Sequence, residues 1–317
     1  MNIYFAACDE NGGIYRYIYE NGALSFAEKT PLDKPMFISF DGNKMWVCLK
    51  GDMENGENSS AVSFDISGGK PEAIDGEFST EGLCGCHIAS RDGDVYVANY
   101  MSGSVKKLGG KLDVHEGVGV NLPRQDAPHT HQCVITPDGE SVLVTDLGLD
   151  TVFIYDRELN LKSKAFVPLG HGCRHLCFGE GGLLYCVNEL SATVTVFEFD
   201  GQTLIPLETY PTLPEGFSGK NTAAAIRIHD GRLYVSNRGH DSIEQLKIEG
   251  KALRLLSSTP CGGEFPRDFD ITPDGKLLLC TNEKTNSVTV FEIDGENLNK
   301  LDTELPMPNP LCIVFRV

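Results

Sequence analysis

The amino-acid sequence predicts an all-β fold, and three observations predict it. Apolar and polar residues alternate in short runs along the chain, and no segment sustains a helical period. The runs are punctuated by turn dipeptides that close hairpins, among them Asp138-Gly139, Asp230-Gly231 and Asp274-Gly275. One unit recurs: a short apolar strand, a turn rich in Asp and Gly, a second strand, a polar turn and a third strand. A marker residue near the end of each first strand falls at Phe40, Ser90, Ile135, Phe178, Ile228, Ile271 and Phe315, with spacings of 50, 45, 43, 50, 43 and 44 residues. A period in the forties with three or four strands per unit is the pattern of a β-propeller blade, and seven markers predict seven blades in a single domain over residues 1–317.

The units follow one another in order. "PMFISFDGNKMWVCLK" from Pro35 and "GCHIASRDGDVYVANYMSGSVKKL" from Gly85 are the most drifted copies. "THQCVITPDGESVLVTDLGLDTVFIYD" from Thr130, "CRHLCFGEGGLLYCVNELSATVTVFEFD" from Cys173, "AAIRIHDGRLYVSNRGHDSIEQLKIE" from Ala224 and "PRDFDITPDGKLLLCTNEKTNSVTVFEID" from Pro266 are regular. The last unit has only a first strand, Asn309 to Val317, and the missing strands are available in "NIYFAACDENGGIYRYIYE" at the other end of the chain. Pairing the two termini in one blade closes the ring and removes the exposed edges that a sheet protein must otherwise protect.

Charge and composition narrow the function classes. A net charge of −18 opposes binding to nucleic acid or to an anionic membrane surface, and leaves a small anionic ligand possible only where basic side chains are gathered. No apolar run is long enough for a bilayer, no secretory leader is visible, and eleven cysteines lying largely in strand-like runs read as buried thiols of a cytoplasmic protein. Cys84 and Cys86 have no second pair with zinc-site spacing.

A repeat allows equivalent positions to be compared within one chain. Four residues before each marker stand Met36, Cys86, His131, Arg174, Ala224, Arg267 and Leu311. The ends of the second strands supply Lys50, Tyr100, Leu147, Glu189, Arg238, Glu283 and Asp9. In an antiparallel hairpin the start of one strand lies beside the end of the next, so both columns are expected on one face of the disc, around the central channel. His131, Arg174, Glu189, Arg238 and Arg267 should therefore converge. Arginine offers a planar fork of donors for phosphate or carboxylate, and histidine can act as a general base. The combination suits an anionic molecule attacked by water. The alternative is structural, since Arg–Glu pairs also tie blades together.

Other polar residues are expected in lesser roles. His129 shares a strand face with His131 and is a candidate substrate contact. A metal held by His129, His131 and Asp146 is a minor alternative that lacks ligands at matching spacing. His175 is expected between blades, His240 at a turn, and Asp146, Asn188, Asn237 and Asn282 as recurrent turn formers.

The segments "HTHQCVITPDGESVLVTDLGLD", "CRHLCF", "VNEL", "SNRGHDS" and "PRDF" resemble those of the seven-bladed propeller lactonases, the propeller-type 6-phosphogluconolactonases, which are related in fold to carboxy-muconate cyclase. The resemblance covers nearly the whole chain. It implies hydrolysis of a sugar lactone, 6-phosphogluconolactone above all, with no required cofactor or metal, and with His131, Arg174, Glu189 and Arg238 as site residues. Cys173 stands where that family usually has proline. Two other readings remain: a non-catalytic propeller used as a binding platform, with its arginines paired to local carboxylates, and a muconate-type cyclase that forms the lactone.

Overall fold

In the computed structural model, which describes residues 1–316, seven antiparallel sheets succeed one another along the chain. Val317, the last residue of the terminal segment discussed above, lies outside the described residues. Six sheets have four strands, and the sheet that starts at Pro35–Asp41 has a fifth. We number the blades by their first strands: Pro35–Asp41, Gly85–Arg91, Thr130–Ile135, Cys173–Phe178, Thr222–His229, Pro266–Ile271 and Pro310–Arg316 are the inner strands of blades 1 to 7. Each first strand packs on that of the next blade, and the seventh returns to the first, so the blades form a closed ring.

Closure follows the predicted route. Pro310–Arg316 pairs with Asn2–Ala7, which continues through Gly13–Glu20 to Ala23–Pro31. Asn309 fastens the seam, its carbonyl accepting from the Cys8 backbone N–H at 2.9 Å and its side-chain amide donating to the Cys8 carbonyl.

The core is divided among the interfaces between blades. Seven apolar clusters are found, one for each junction. Ile3, Phe5, Leu279 and Val290 fill that between blades 6 and 7, and Tyr4, Ile38, Val47 and Phe64 that between blades 7 and 1. Alternation makes this possible, because each strand sends successive side chains to opposite neighbours. Every buried Leu, Ile or Phe contributes about 1.5–3 kcal/mol, so each blade draws its stabilisation from both flanking blades. The cysteines belong to this interior. All eleven are free, and ten of them are buried.

One irregularity recurs at the same place in all seven blades. Where the first strand pairs with the second, the register slips by one residue. Pro35 and Phe37 face Leu49 and Cys48, Thr130 and Gln132 face Asp146 and Thr145, and Cys173 and His175 face Asn188 and Val187. The same slip occurs at Gly85/His87, Ala223/Ile226, Pro266/Asp268 and Pro310/Cys312. The residues passed over are Met36, Cys86, His131, Arg174, Arg267 and Leu311, with Ala224 and Ala225 sharing the slip in blade 5. The first column of the repeat is thus a ring of β-bulges. A bulge leaves its extra residue unpaired, bends the strand and re-aims the side chain.

Candidate active site

The bulges turn their side chains toward one mouth of the channel, where a cavity of about 1040 Å³ opens. Met36, Cys86, His131, Arg267 and Leu311 line it from the first column, and Asp9, Lys50, Tyr100, Glu189, Arg238 and Glu283 from the second. Arg174 lies just beneath, in a small pocket that it shares with His131 and Arg267. Ala224 is too short to take part, and Leu147 does not line the cavity.

Glu189 is the hub of the charged groups. One carboxylate oxygen accepts from Arg174 Nε at 3.0 Å and forms an ion pair with an Arg238 terminal nitrogen at 2.8 Å. The other accepts from Arg124 at 2.6 Å. Arg174 also donates to the Ala224 carbonyl at 2.8 Å, and Arg238 to that of Ala223 at 3.1 Å, so both guanidiniums are locked onto blade 5 backbone. Arg267 pairs with Glu283 at 3.2 Å. The arginines are therefore paired to local carboxylates, a feature that the platform reading shares.

The electrostatics separate the roles. Burial opposes ionisation of Glu189, but Arg238, Arg174 and their neighbours outweigh it and hold its carboxyl well below the usual range. It is a permanent anion and a poor base. Burial, then the charge of Arg174, push His131 well below an ordinary histidine, so it stands neutral. Its Nδ1 is buried without a hydrogen-bond partner, and so is Nε of Arg238. A buried acceptor or donor of this kind is costly unless a ligand or an ordered water completes it.

The charges that line the cavity nearly balance, on a protein whose net charge is −18. Seven cationic side chains line it, Lys34, Lys50, Arg124, Lys220, Arg238, Arg267 and Lys284, against six anionic ones, Asp9, Glu10, Glu189, Asp241, Glu264 and Glu283. Among the described residues the four lysines have no ion-pair partner, whereas Arg238 and Lys284 sit over the ring of Phe265 at 4.9 and 4.3 Å.

Two sequence expectations are corrected. His129 does not line the cavity. It lies behind the wall, stacked on Tyr100 with ring centroids 4.5 Å apart and its Nδ1 3.1 Å from the Tyr100 carbonyl. Strand alternation alone would have placed it beside His131, but the bulge breaks that alternation. For the same reason His175 is not between blades. Consecutive residues Arg174 and His175 both reach the channel, where the His175 ring meets those of His131 at 5.1 Å and His87 at 5.7 Å. Nor do His129, His131 and Asp146 converge. Asp146 accepts from the backbone of His129 and Leu149 and is bonded to His115 at 2.6 Å.

Arg124 and Tyr100 enlarge the predicted site. Arg124 comes from the long connection between Leu112–Val114 and Thr130–Ile135, outside the repeat, and carried no periodic signal. Tyr100 stands in the second column, and its hydroxyl lies 3.4 Å from Arg124. The expected turn roles hold for His240, bonded to Ser242, and for Asn188, whose amide donates to Thr193 and Thr195.

Similarity to known proteins agrees with this architecture. Residues 2–315 match the family described as "Lactonase, 7-bladed beta-propeller". An uncharacterised protein of Staphylococcus aureus strain USA300 is 34% identical over 294 residues, which cover 84% of this chain and 85% of that one. The periplasmic gluconolactonase PpgL of Pseudomonas aeruginosa has 25% identity and a TM-score of 0.90, with 100% of this chain and 99% of that one covered. A Bacteroides fragilis protein, provisionally described as a 6-phosphogluconolactonase, has 25% identity and a TM-score of 0.89 over 100% of this chain and 98% of its own. With the ring, its closure and the arginine-bearing mouth in place, the chain belongs to the seven-bladed β-propeller lactonase family.

Proposed function

We propose that the protein hydrolyses an anionic lactone at the channel mouth. Phosphorylated sugar lactone is the first substrate to try, in view of the description given to the Bacteroides fragilis protein. The observation that carries this reading is the convergence of His131, Arg174, Arg238 and Arg267 at one channel mouth of an acidic chain.

In this reading a water molecule attacks the lactone carbonyl carbon while His131 takes its proton. A neutral imidazole is ready to do so at neutral pH. The carbonyl oxygen becomes an oxyanion, which Arg238 stabilises, with Arg174 behind it. Collapse of the tetrahedral intermediate breaks the ring C–O bond. The imidazolium, made strongly acidic by burial and the surrounding arginines, returns its proton to the departing alkoxide. The product is the hydroxy acid. Glu189 holds the guanidiniums in position and takes no proton, since its carboxyl is held well below the usual range. Arg267 and the unpaired lysines draw in the anionic group of the substrate.

The test is a continuous assay with freshly prepared 6-phosphogluconolactone and gluconolactone, corrected for spontaneous opening. Saturable turnover is expected. His131→Ala should lower kcat by about 10²–10⁴-fold with an unchanged melting temperature, and Arg238→Ala by about 10²–10³-fold. Full activity in both folded variants removes the assignment.

A further inference from the structure

We infer that the preferred lactone carries an unhydroxylated hydrocarbon edge opposite its anionic group. This rests on the lactonase reading and refines its substrate class. The bulged side chains at the mouth are sorted by blade. Leu311, Met36 and Cys86 come from blades 7, 1 and 2, whereas His131, Arg174 and Arg267 come from blades 3, 4 and 6. Consecutive blades are neighbours on the ring, so an apolar crescent faces a basic one across the cavity. Leu311, Met36 and Cys86 are 6%, 6% and 7% exposed, and all three line the cavity, so what they show is its wall.

The crescent has no hydrogen-bonding capacity to spare. The Cys8 thiol donates to the Met36 sulfur at 3.4 Å. The Cys86 thiol is directed at the carbonyls of His131 and Thr130, at 3.2 and 3.6 Å. Leu311 has no side-chain polar atom. A substrate hydroxyl pressed here would give up water and gain nothing, a loss on the order of tenfold to a hundredfold in affinity. A methylene in the same place would gain by a comparable factor, about 10–200-fold. The polar groups on this side, Asp9, Glu10, Lys34, Lys50, Tyr100 and Asn309, flank the strand ends and belong to the rim; Asn309 has already given its amide to Cys8, and the Tyr100 hydroxyl faces Arg124. The ligand that satisfies both halves has its carboxylate or phosphate toward the arginines and a hydrocarbon flank toward the sulfur-lined side.

The experiment compares kcat/KM for three probes: 6-phosphogluconolactone, a carboxylate-bearing γ-lactone with a propyl substituent, and the same γ-lactone with a dihydroxypropyl substituent. The propyl lactone is expected to exceed its dihydroxylated counterpart at least tenfold. Met36→Gln and Cys86→Ser, checked for native melting temperature, should each reduce that ratio at least threefold. A ratio near one, a preference for the hydroxylated probes, or ratios unmoved in both folded variants overturns the inference and leaves the lactonase reading intact. Calorimetric titration with the two hydroxy-acid products needs no variant. If no lactone is hydrolysed yet the propyl product binds at least tenfold more tightly than the dihydroxypropyl product, hydrolysis falls and the hydrocarbon wall stands. Equal binding, or none, overturns the wall.

Discussion

Replacing Glu189 with Gln tests whether one carboxylate is the counter-charge for the whole mouth. The side chain is 6% exposed and touches three guanidiniums at 2.6, 2.8 and 3.0 Å, two of them on side chains no more than 5% exposed. At an effective dielectric near 20, each contact is worth roughly 6 kcal/mol of attraction, most of it offset by the cost of burying the charges. The variant keeps the size and one hydrogen-bond acceptor but strands Arg174 and Arg238, so the net loss expected is about 3–5 kcal/mol. For a chain of this length that lowers the melting temperature by about 4–8 °C. Thermal unfolding followed by circular dichroism, at constant ionic strength with and without phosphate, reads it. Phosphate should restore part of the loss, about 2.7 kcal/mol at a hundred times its Kd, because an external anion replaces the missing charge. A shift below about 2 °C, or equal stabilisation of variant and parent by phosphate, would refute the reasoning.

Other perturbations follow from the same geometry. Burial lowers the pKa of His87 to about 3 and of His131 and His175 well below 6.5. The unfolded chain therefore takes up three protons that the folded one refuses, and stability should fall as pH drops through 6.5, by about 4 kcal/mol in all between pH 7.5 and 5.5. Below about pH 6 Asp270, raised to that value by burial, opposes one of the three. Urea unfolding between pH 7.5 and 5.5 measures the slope, and His87→Asn should remove one proton from it. His129→Ala should change kcat less than fivefold while raising KM, since its contact with the site passes through Tyr100; a kcat loss as large as that of His131→Ala would place it in the chemistry instead. Lys50→Gln with Lys284→Gln should raise KM for an anionic lactone and weaken its salt dependence, leaving kcat nearly unchanged, because both lysines are unpaired at the rim.

The ring and its chemistry were legible to different depths. Seven blades and the joined termini followed from spacing alone, because each blade repeats one hairpin pattern and a closed sheet needs both ends. Comparing columns located His131, Glu189, Arg238 and Arg267, since a residue at the same phase of each blade reaches the same height on the axis. Arg174 was found in the right column but lies one step deeper. The bulge was invisible, because one extra residue beside a strand end leaves the apolar pattern intact, and His129 and His175 were misplaced for that reason. Arg124 could not be found by any periodic argument, as it sits in a connection that only blade 2 possesses.

Because the projecting residue of every inner strand stands outside the hydrogen-bonded ladder, its side chain can change without breaking a ladder hydrogen bond. The seven positions behave as sockets on a rigid rim, and five kinds of side chain already fill those of blades 1 to 4 and 7: Met, Cys, His, Arg and Leu. Blade 5 holds the smallest plug, Ala224, and its carbonyl receives the guanidinium of the neighbouring blade. Relatives sharing this rim could exchange plugs, and so ligands, without refolding a single sheet.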